Sequence, residues 1–291
     1  MLTILLPTDF SSNSKAAIFY ALALFKSQKV AFYFLHAYQN EFYDHDELIS
    51  RAVFDDVLDS VRNQSIQQLE ALRKEVETNY PYPNYHYYTR SAYSTLIEEA
   101  NQIVQEKNID LIVMGTKGKS DENHIVFGSH TFQVLKYVKC PVLAIPATYR
   151  STQLKHILFP TNYMHRYKQR ELTLLNTLAL QHQSVIDVLY VSKHAKLSIR
   201  QEDNQAILKK ELGSFDPNFY TANAGKVAQS IKKYIKNNAI DLLVMVNTQH
   251  SFLEDMLFAS TIDAVSIDLA IPLLALQNST RSITNLKETK R

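Results

Sequence analysis

The sequence predicts an α/β protein with two open parallel sheets and covering helices, one after the other in a single chain. Three observations predict it. Short apolar runs alternate with segments of helical period, the pattern of a parallel sheet flanked by helices. The opening Ile4-Leu-Leu-Pro-Thr-Asp-Phe10 returns as Ile157-Leu-Phe-Pro-Thr-Asn-Tyr163, at an offset of 153 residues. Two later segments also return, both at an offset of 131: Ile109-Asp-Leu-Ile-Val-Met114 as Ile240-Asp-Leu-Leu-Val-Met245, and Cys140-Pro-Val-Leu-Ala-Ile145 as Ile271-Pro-Leu-Leu-Ala-Leu276. The chain is therefore a tandem duplication, its second copy shorter in the middle by the 22 residues that separate the two offsets. The polar Ser151-Thr-Gln153 marks the seam, which gives a first domain over 1–150, a second over 151–278 and a tail over 279–291.

In the first copy the apolar runs place strands at Thr3–Pro7, Lys29–Ala37, Tyr85–Thr89, Leu111–Gly115 and Val142–Pro146. Helical spacing places helices at Ser12–Lys26, Tyr93–Lys107 and Thr131–Val138. In the second of these Ser94 and Glu98 signal the start, and Leu96, Ala100, Ile103 and Val104 form the apolar face. The same pattern returns at Val227–Ile235. The extra length of the first copy lies at Glu41–Glu77, a charged segment of helical period whose stripe is Leu58, Val61, Ile66, Leu69 and Leu72. A surface helix is the simpler reading of it, and a partner-docking helix the alternative.

Composition narrows the function. The 291 residues are 46% hydrophobic and 21% charged, as in an ordinary globular protein. A net charge of +2 argues against a nucleic-acid binder driven by phosphate neutralisation. The balance is −3 over residues 1–150 and +5 over the remainder, and three of those five positive units fall in the last eleven residues, which read as an exposed charged tail. The single cysteine, Cys140, excludes an intrachain disulfide and reads as a small buried residue. The first residues carry no basic segment of a signal peptide, and no apolar run approaches the roughly 18 residues of a membrane span. The expected setting is cytoplasmic, away from the membrane.

Only five glycines occur, and three of them lie within one fourteen-residue stretch, Gly115-Thr-Lys-Gly118-Lys-Ser-Asp-Glu-Asn-His-Ile-Val-Phe-Gly128, followed by Ser129. Glycine serves where a backbone takes positive φ or approaches a ligand closely, and a glycine cluster between a strand and a helix is the pattern of a phosphate cradle. Gly115 would let the chain turn off the strand, Gly118 would allow close approach, and Gly128-Ser129 would open the next helix toward the ligand. Lys117 or Lys119 could add charge. The spacing is neither that of the Walker loop nor that of the Rossmann turn. On spacing alone, a flexible loop with incidental glycines stays open.

The pattern Gly115-x2-Gly118-x9-Gly128-Ser129 resembles the nucleotide motif of the universal stress protein family. Pro7-Thr-Asp9-Phe-Ser11 resembles that family's first strand with its acidic residue, and His36-Ala37 the end of its second strand. The resemblance spans residues 1–278. It implies two doubly wound sheets of the adenine nucleotide alpha hydrolase-like kind, in tandem, each with strand order 3-2-1-4-5, and an adenine nucleotide (ATP or AMP, with Mg2+ as an option) at the carboxyl ends of strands 1 and 4. Carried onto this chain, Asp9 and Ala37 would face the adenine and ribose, Met114 and Gly115 would line the sugar, and Gly118, Gly128, Ser129 and the backbone of His130 would hold the phosphates, with Pro7, Thr8 and Lys119 completing the binding site. The fifth strands, Val142–Ile145 and Leu273–Leu276, would pair the two halves as an internal dimer. A further homodimer of chains is left open.

The second copy departs from the motif. At the 131-residue offset Gly115 becomes Val246, Gly118 becomes Gln249 and Gly128 becomes Ala259, while Ser129 is matched by Ser260; at the first strand Asp9 becomes Asn162. A β-branched residue does not readily take positive φ, so this half is expected not to bind ATP. It would serve as a structural or regulatory partner or, with Val246, Phe252, Leu253, Met256 and Leu257, accept an apolar ligand. The other patterns carry less. The ten histidines show no H-x3-H or HExxH spacing, and the tyrosines of Pro81–Tyr88 lack the basic interleaving of a base-stacking surface. An ATPase would need a residue to activate water, and only Asp9 or His130 offers itself. The reading is a nucleotide-binding protein whose ligand shifts its conformation or assembly; a pure interaction protein and a slow ATPase are the alternatives.

Overall fold

The computed structural model describes residues 1–44, 53–116, 127–192, 196–223, 227–247, 253 and 270–277. They fall into two compact units, divided just before the fifth strand.

The first unit runs β1 (Leu2–Pro7), α1 (Ser12–Leu24), β2 (Val30–Ala37), α2 (Gln39–Tyr43), α3 (Phe54–Asn79), β3 (Tyr85–Ala92), α4 (Leu96–Glu106), β4 (Leu111–Gly115) and α5 (Ser129–Tyr137). Its sheet has the order β3-β2-β1-β4 and is parallel throughout, with Leu2 opposite Val30, Val30 opposite Tyr85 and Ile4 opposite Leu111. Every residue of β1 and β4 is buried, as in a parallel sheet covered on both faces. This explains why these strands read as unbroken apolar runs rather than as alternating ones.

The second unit contains β5 (Val142–Ile145), β6 (His156–Thr161), α6 (Gln169–His182), β7 (Val185–Ser192), α7 (Ile199–Glu211), β8 (Asn218–Asn223), α8 (Val227–Asn237), β9 (Leu242–Asn247) and β10 (Leu273–Gln277). Strands β8-β7-β6-β9-β10 are parallel in that order, the doubly wound 3-2-1-4-5 arrangement. Strand β5 adds to β10 antiparallel, Leu274 opposite Leu143. Among the described residues no helix is long and apolar enough to cross a membrane.

The repeated Ile-Asp-Leu segment has a structural purpose in both units. The Asp110 carboxylate accepts the Thr3 amide at 2.8 Å, and Asp241 accepts the amides of Lys155 and His156 at 2.8 and 2.9 Å. Each aspartate thus ties the start of the fourth strand of its unit to the start of the first. The residue two before each aspartate takes the left-handed conformation, Asn108 at φ 51° and Ala239 at φ 47°.

Two expectations need correction. The long helix α3 is a surface helix, but its inward stripe is Val57, Val61, Ser65, Leu69, Leu72 and Val76, packed toward β2 and β3. Ile66 is 45% exposed, and its neighbour Ser65 takes the inward place because Ser65 bonds to the buried His36 and to Ser91 of the sheet. The start of α4 is set by Thr95, whose hydroxyl accepts the Glu98 amide at 3.3 Å; Ser94 lies one residue outside and bonds the Glu98 carboxylate. Cys140 is buried, with its Sγ 3.5 Å from the Ile109 carbonyl.

Candidate functional site

The site is built on the turn that leaves β1. Thr8 continues the strand by donating its amide to the Leu35 carbonyl, and its hydroxyl then accepts the Phe10 amide at 2.9 Å and pairs with Ser14 Oγ at 3.1 Å. The Asp9 carboxylate accepts the Ser11 amide at 3.0 Å and the Ser11 hydroxyl at 2.5 Å. Ser11 also caps α1 by accepting the Ser14 amide. Together these bonds hold Phe10 at φ 58°, a conformation that an L-residue adopts at a penalty of about 1–2 kcal/mol. Burial of Asp9 favours its neutral form, but the hydrogen bonds from Ser11 and Ser14 and from the backbone outweigh it and hold the carboxyl below its ordinary range. Asp9 is therefore an anion at neutral pH.

The opposite wall comes from β4 and α5. Gly115 ends β4, and its carbonyl accepts the Thr131 hydroxyl at 2.8 Å, while the Gly128 amide donates to the Thr116 carbonyl at 2.8 Å. These two bonds bring the start of α5 back to the end of β4. Gly128 is the residue before the helix, at φ −59°, and no described glycine takes positive φ. Gly115 thus ends the strand without a left-handed conformation, and beside β1 and β6 that conformation is taken by Phe10 and its counterpart Tyr163. The first-turn amides of α5 have no intrahelical acceptor, and no acidic residue sits in that turn, so the partial positive charge of the helix end is uncancelled within the helix.

Between these walls lies a cleft of about 710 Å3, counting its part open to solvent. Of the candidate residues, Pro7, Thr8, Asp9, Ala37, Met114, Gly115 and His130 line it. Gly128 and Ser129 stand beside it at the start of α5, with Ser129 exposed. Gly118 and Lys119 lie outside the described residues, as do Lys117, Gln249, Ala259, Ser260, Phe252, Met256 and Leu257. The cleft also draws on Ser14, His36, Asn40, Glu41, Ser94, Thr95, Leu96 and Thr131, which the sequence reading does not assign to the site. Two of them carried a usable signal: His36 in the His36-Ala37 pair that ends the second strand, and Thr131, a hydroxyl in the first turn after Gly128-Ser129. Among the described residues no three His, Cys, Asp or Glu side chains gather where a metal ion could be held.

The second unit repeats the turn and fills the cleft. Thr161 Oγ1 accepts the Tyr163 amide at 3.0 Å, Asn162 Oδ1 accepts the Met164 amide at 2.9 Å, and Tyr163 sits at φ 54°. Asn162 therefore keeps the turn of Asp9 without its charge. The next helix starts eight residues after Thr161, against four after Thr8. The longer loop carries Tyr167, only 7% exposed, whose hydroxyl meets Thr161 Oγ1 at 2.9 Å, where Ser14 stands in the first unit. The Tyr167 ring packs edge-on against Phe159. From α7, Gln201 and Asn204 bond the carbonyls of Asn162 and Tyr163, both at 2.8 Å. What remains is a space of about 250 Å3, lined by Asn162, Tyr167, Val246 and Leu253 among others.

Comparison with known proteins agrees with this architecture. The model of the Universal stress protein family matches residues 1–146 and again 154–277. The chain belongs to the universal stress protein family. A universal stress protein of Methanocaldococcus jannaschii is 47% identical over 49 residues, a match that spans 16% of this chain and 29% of that relative. The crystal structure of a universal stress protein from Archaeoglobus fulgidus superposes with a TM-score of 0.65 at 16% identity, covering 95% of this chain and 98% of that one. A putative universal stress protein from Pseudomonas aeruginosa gives 0.54 at 12% identity, over 94% of this chain and 92% of that one. At these identities the likeness is one of fold, two family domains in tandem.

Proposed function

We propose that the first repeat binds an adenine nucleotide, ATP or AMP, and that the second repeat is a structural or regulatory copy that does not. One observation carries the reading: the same turn opens onto a cleft of about 710 Å3 in one unit and about 250 Å3 in the other. Measured the same way, the first cleft is nearly three times the size of the second, which Tyr167 lines. The open cleft offers the first turn of α5 to an anion. The carboxyl ends of β1 and β4, where it lies, are the ligand position expected of an open parallel sheet. Mg2+ accompanying the phosphates would take most of its ligands from the nucleotide and water. An interaction protein with an empty cleft and a slow ATPase are the rival readings. Asp9, already engaged by Ser11, is a poor base for activating water.

Division of the chain into domains 1–150 and 151–278 with a tail is supported by the two segments of the family match. Pairing of the two repeats through their fifth strands is supported by the antiparallel register of β5 with β10. Homodimerisation and a cytoplasmic setting belong to the same proposal.

The test is nucleotide content and thermal stability. The purified chain should carry about one adenine nucleotide. At ATP 100-fold above Kd, mass action adds about 2.7 kcal/mol, a rise in melting temperature of roughly 5–10 °C. Gly128→Val, which places a branched side chain where the backbone must face the phosphates, should show no rise. No shift in the wild type favours the interaction protein. Phosphate release abolished by Asp9→Ala favours the ATPase, and two nucleotides per chain would overturn the assignment of the second repeat.

A further inference from the structure

The first cleft has two chemically opposite sides. The order β3-β2-β1-β4 places the ends of β2 and β3 on one side of β1, and β4 with the start of α5 on the other. The β4 side presents hydrogen-bond donors and partial positive charge. The β2 side continues into α2, which brings the Glu41 carboxylate to the wall four residues after Ala37. That carboxylate is held: Oε1 lies 3.3 Å from His36 Nε2. His36 is itself fixed and only 4% exposed. Its Nδ1 meets Ser65 Oγ at 2.8 Å, Ser65 is backed by Ser91 at 2.7 Å, and the Phe10 ring packs edge-on at 4.6 Å. With Ser65 donating to Nδ1, Nε2 carries the proton and presents it toward the Glu41 carboxylate. The glutamate stays 46% exposed on the cleft wall.

We infer that Glu41 is a ligand-recognition residue of this cleft, accepting a hydrogen bond from a donor on the nucleoside part of the ligand, and that His36 is the positioning residue that holds it. This rests on the nucleotide reading above and deepens it. An ionised carboxylate only accepts hydrogen bonds and repels phosphate. Glu41 therefore sets the polarity of the ligand, with phosphates toward α5 and a donor-bearing end toward α2. Adenosine offers two kinds of donor, the exocyclic amino group and the ribose hydroxyls. Inosine replaces the amino group by a carbonyl, and a 2′-deoxynucleoside lacks one hydroxyl. A site built to bond such a group rejects the analogue without it, because its own polar group is left unpaired.

Calorimetric titration of the full chain with ATP, ITP and 2′-deoxy-ATP tests this. The wild type should prefer ATP over at least one analogue by about tenfold, a modest ratio because Glu41 is half exposed. Glu41→Ala should erase that preference by weakening ATP while leaving the rejected analogue unchanged. Glu41→Gln, of the same shape, should reduce it and guards against a folding defect, as does the melting temperature without nucleotide. His36→Ala should lower the preference, and His36→Gln, whose amide can still donate to Glu41, should restore it. Equal affinity of the wild type for all three, or ratios unchanged in Glu41→Ala, overturns the role of Glu41 while leaving ATP binding intact. Ratios unchanged in His36→Ala overturn the positioning role. A wild type that binds none of the three at millimolar concentration overturns the nucleotide reading and this inference with it.

Discussion

Asp9→Asn asks what the charge in the first cleft contributes, because the second repeat already carries asparagine there. Asn162 accepts the Met164 amide at 2.9 Å, as Asp9 accepts the Ser11 amide at 3.0 Å, so the turn should survive the substitution. What is lost is charge on the bonds from Ser11 and Ser14. Bonds to a charged group contribute about 1.5–3 kcal/mol and neutral ones about 0.5–1.5. The difference, roughly 1 kcal/mol, is reduced by solvent at this half-buried position to about 0.5–1 kcal/mol at pH 7. The pH dependence has a definite sign. The folded-state pKa lies below the unfolded value of 3.8, so the contribution is complete above that value and is lost as pH falls through the lower, folded one. Urea unfolding of wild type and variant should therefore show a constant gap between pH 8 and 5 that narrows below about pH 4. A gap that widens on acidification would refute the account of the charge. A loss above about 2 kcal/mol at pH 7 would mean that the turn itself depends on the carboxylate.

Substitutions at Tyr167, Ser65 and Ile66 probe the framework around the clefts. Tyr167→Phe removes only the bond to Thr161 and should reduce stability by about 0.5–1.5 kcal/mol, whereas Tyr167→Ala empties the second cleft and should cost about 3–5 kcal/mol in urea unfolding. Burial pushes the Tyr167 phenol up to about 12, so spectrophotometric titration should count equal numbers of tyrosines ionising near pH 10 in the wild type and in Tyr167→Ala, with the wild type gaining one more only near pH 12. Ser65→Ala leaves His36 Nδ1 and Ser91 without their shared partner and should lower stability by about 1–3 kcal/mol, while the adjacent Ile66→Ser should change it by less than about 0.5 kcal/mol in the same assay.

The parts of the fold that the sequence revealed were those held by long, repeated apolar runs. β1, β4 and their counterparts β6 and β9 are buried over nearly their whole length, so most of their residues are apolar, and duplication showed each of them twice. The polar framework was harder to read. Ser65 in place of Ile66 follows from a hydrogen bond to a histidine 29 residues away, which no helical periodicity records. Thr95 rather than Ser94 caps α4 because the backbone, not composition, selects between adjacent hydroxyls. In the site, Asp9, Gly115 and the start of α5 were legible through the motif. Glu41 and Tyr167 were not, since each acts from a segment where the two repeats differ in length: α2 belongs to the insertion, and Tyr167 to the extended loop before α6. The loss of motif glycines foretold a changed second cleft, while the side chain that fills it came from elsewhere.

The antiparallel step from β5 to β10 bears on how the molecule can be taken apart. A fragment ending at the seam near Ser151 carries β5 away from the strand it pairs with and leaves β10 with a bare edge in the other fragment. Bare edges recruit further strands, so each isolated half should tend to self-associate, and its ligand stoichiometry would then describe an aggregate. The repeats are best compared inside one intact polypeptide, by disabling one cleft at a time through point substitution.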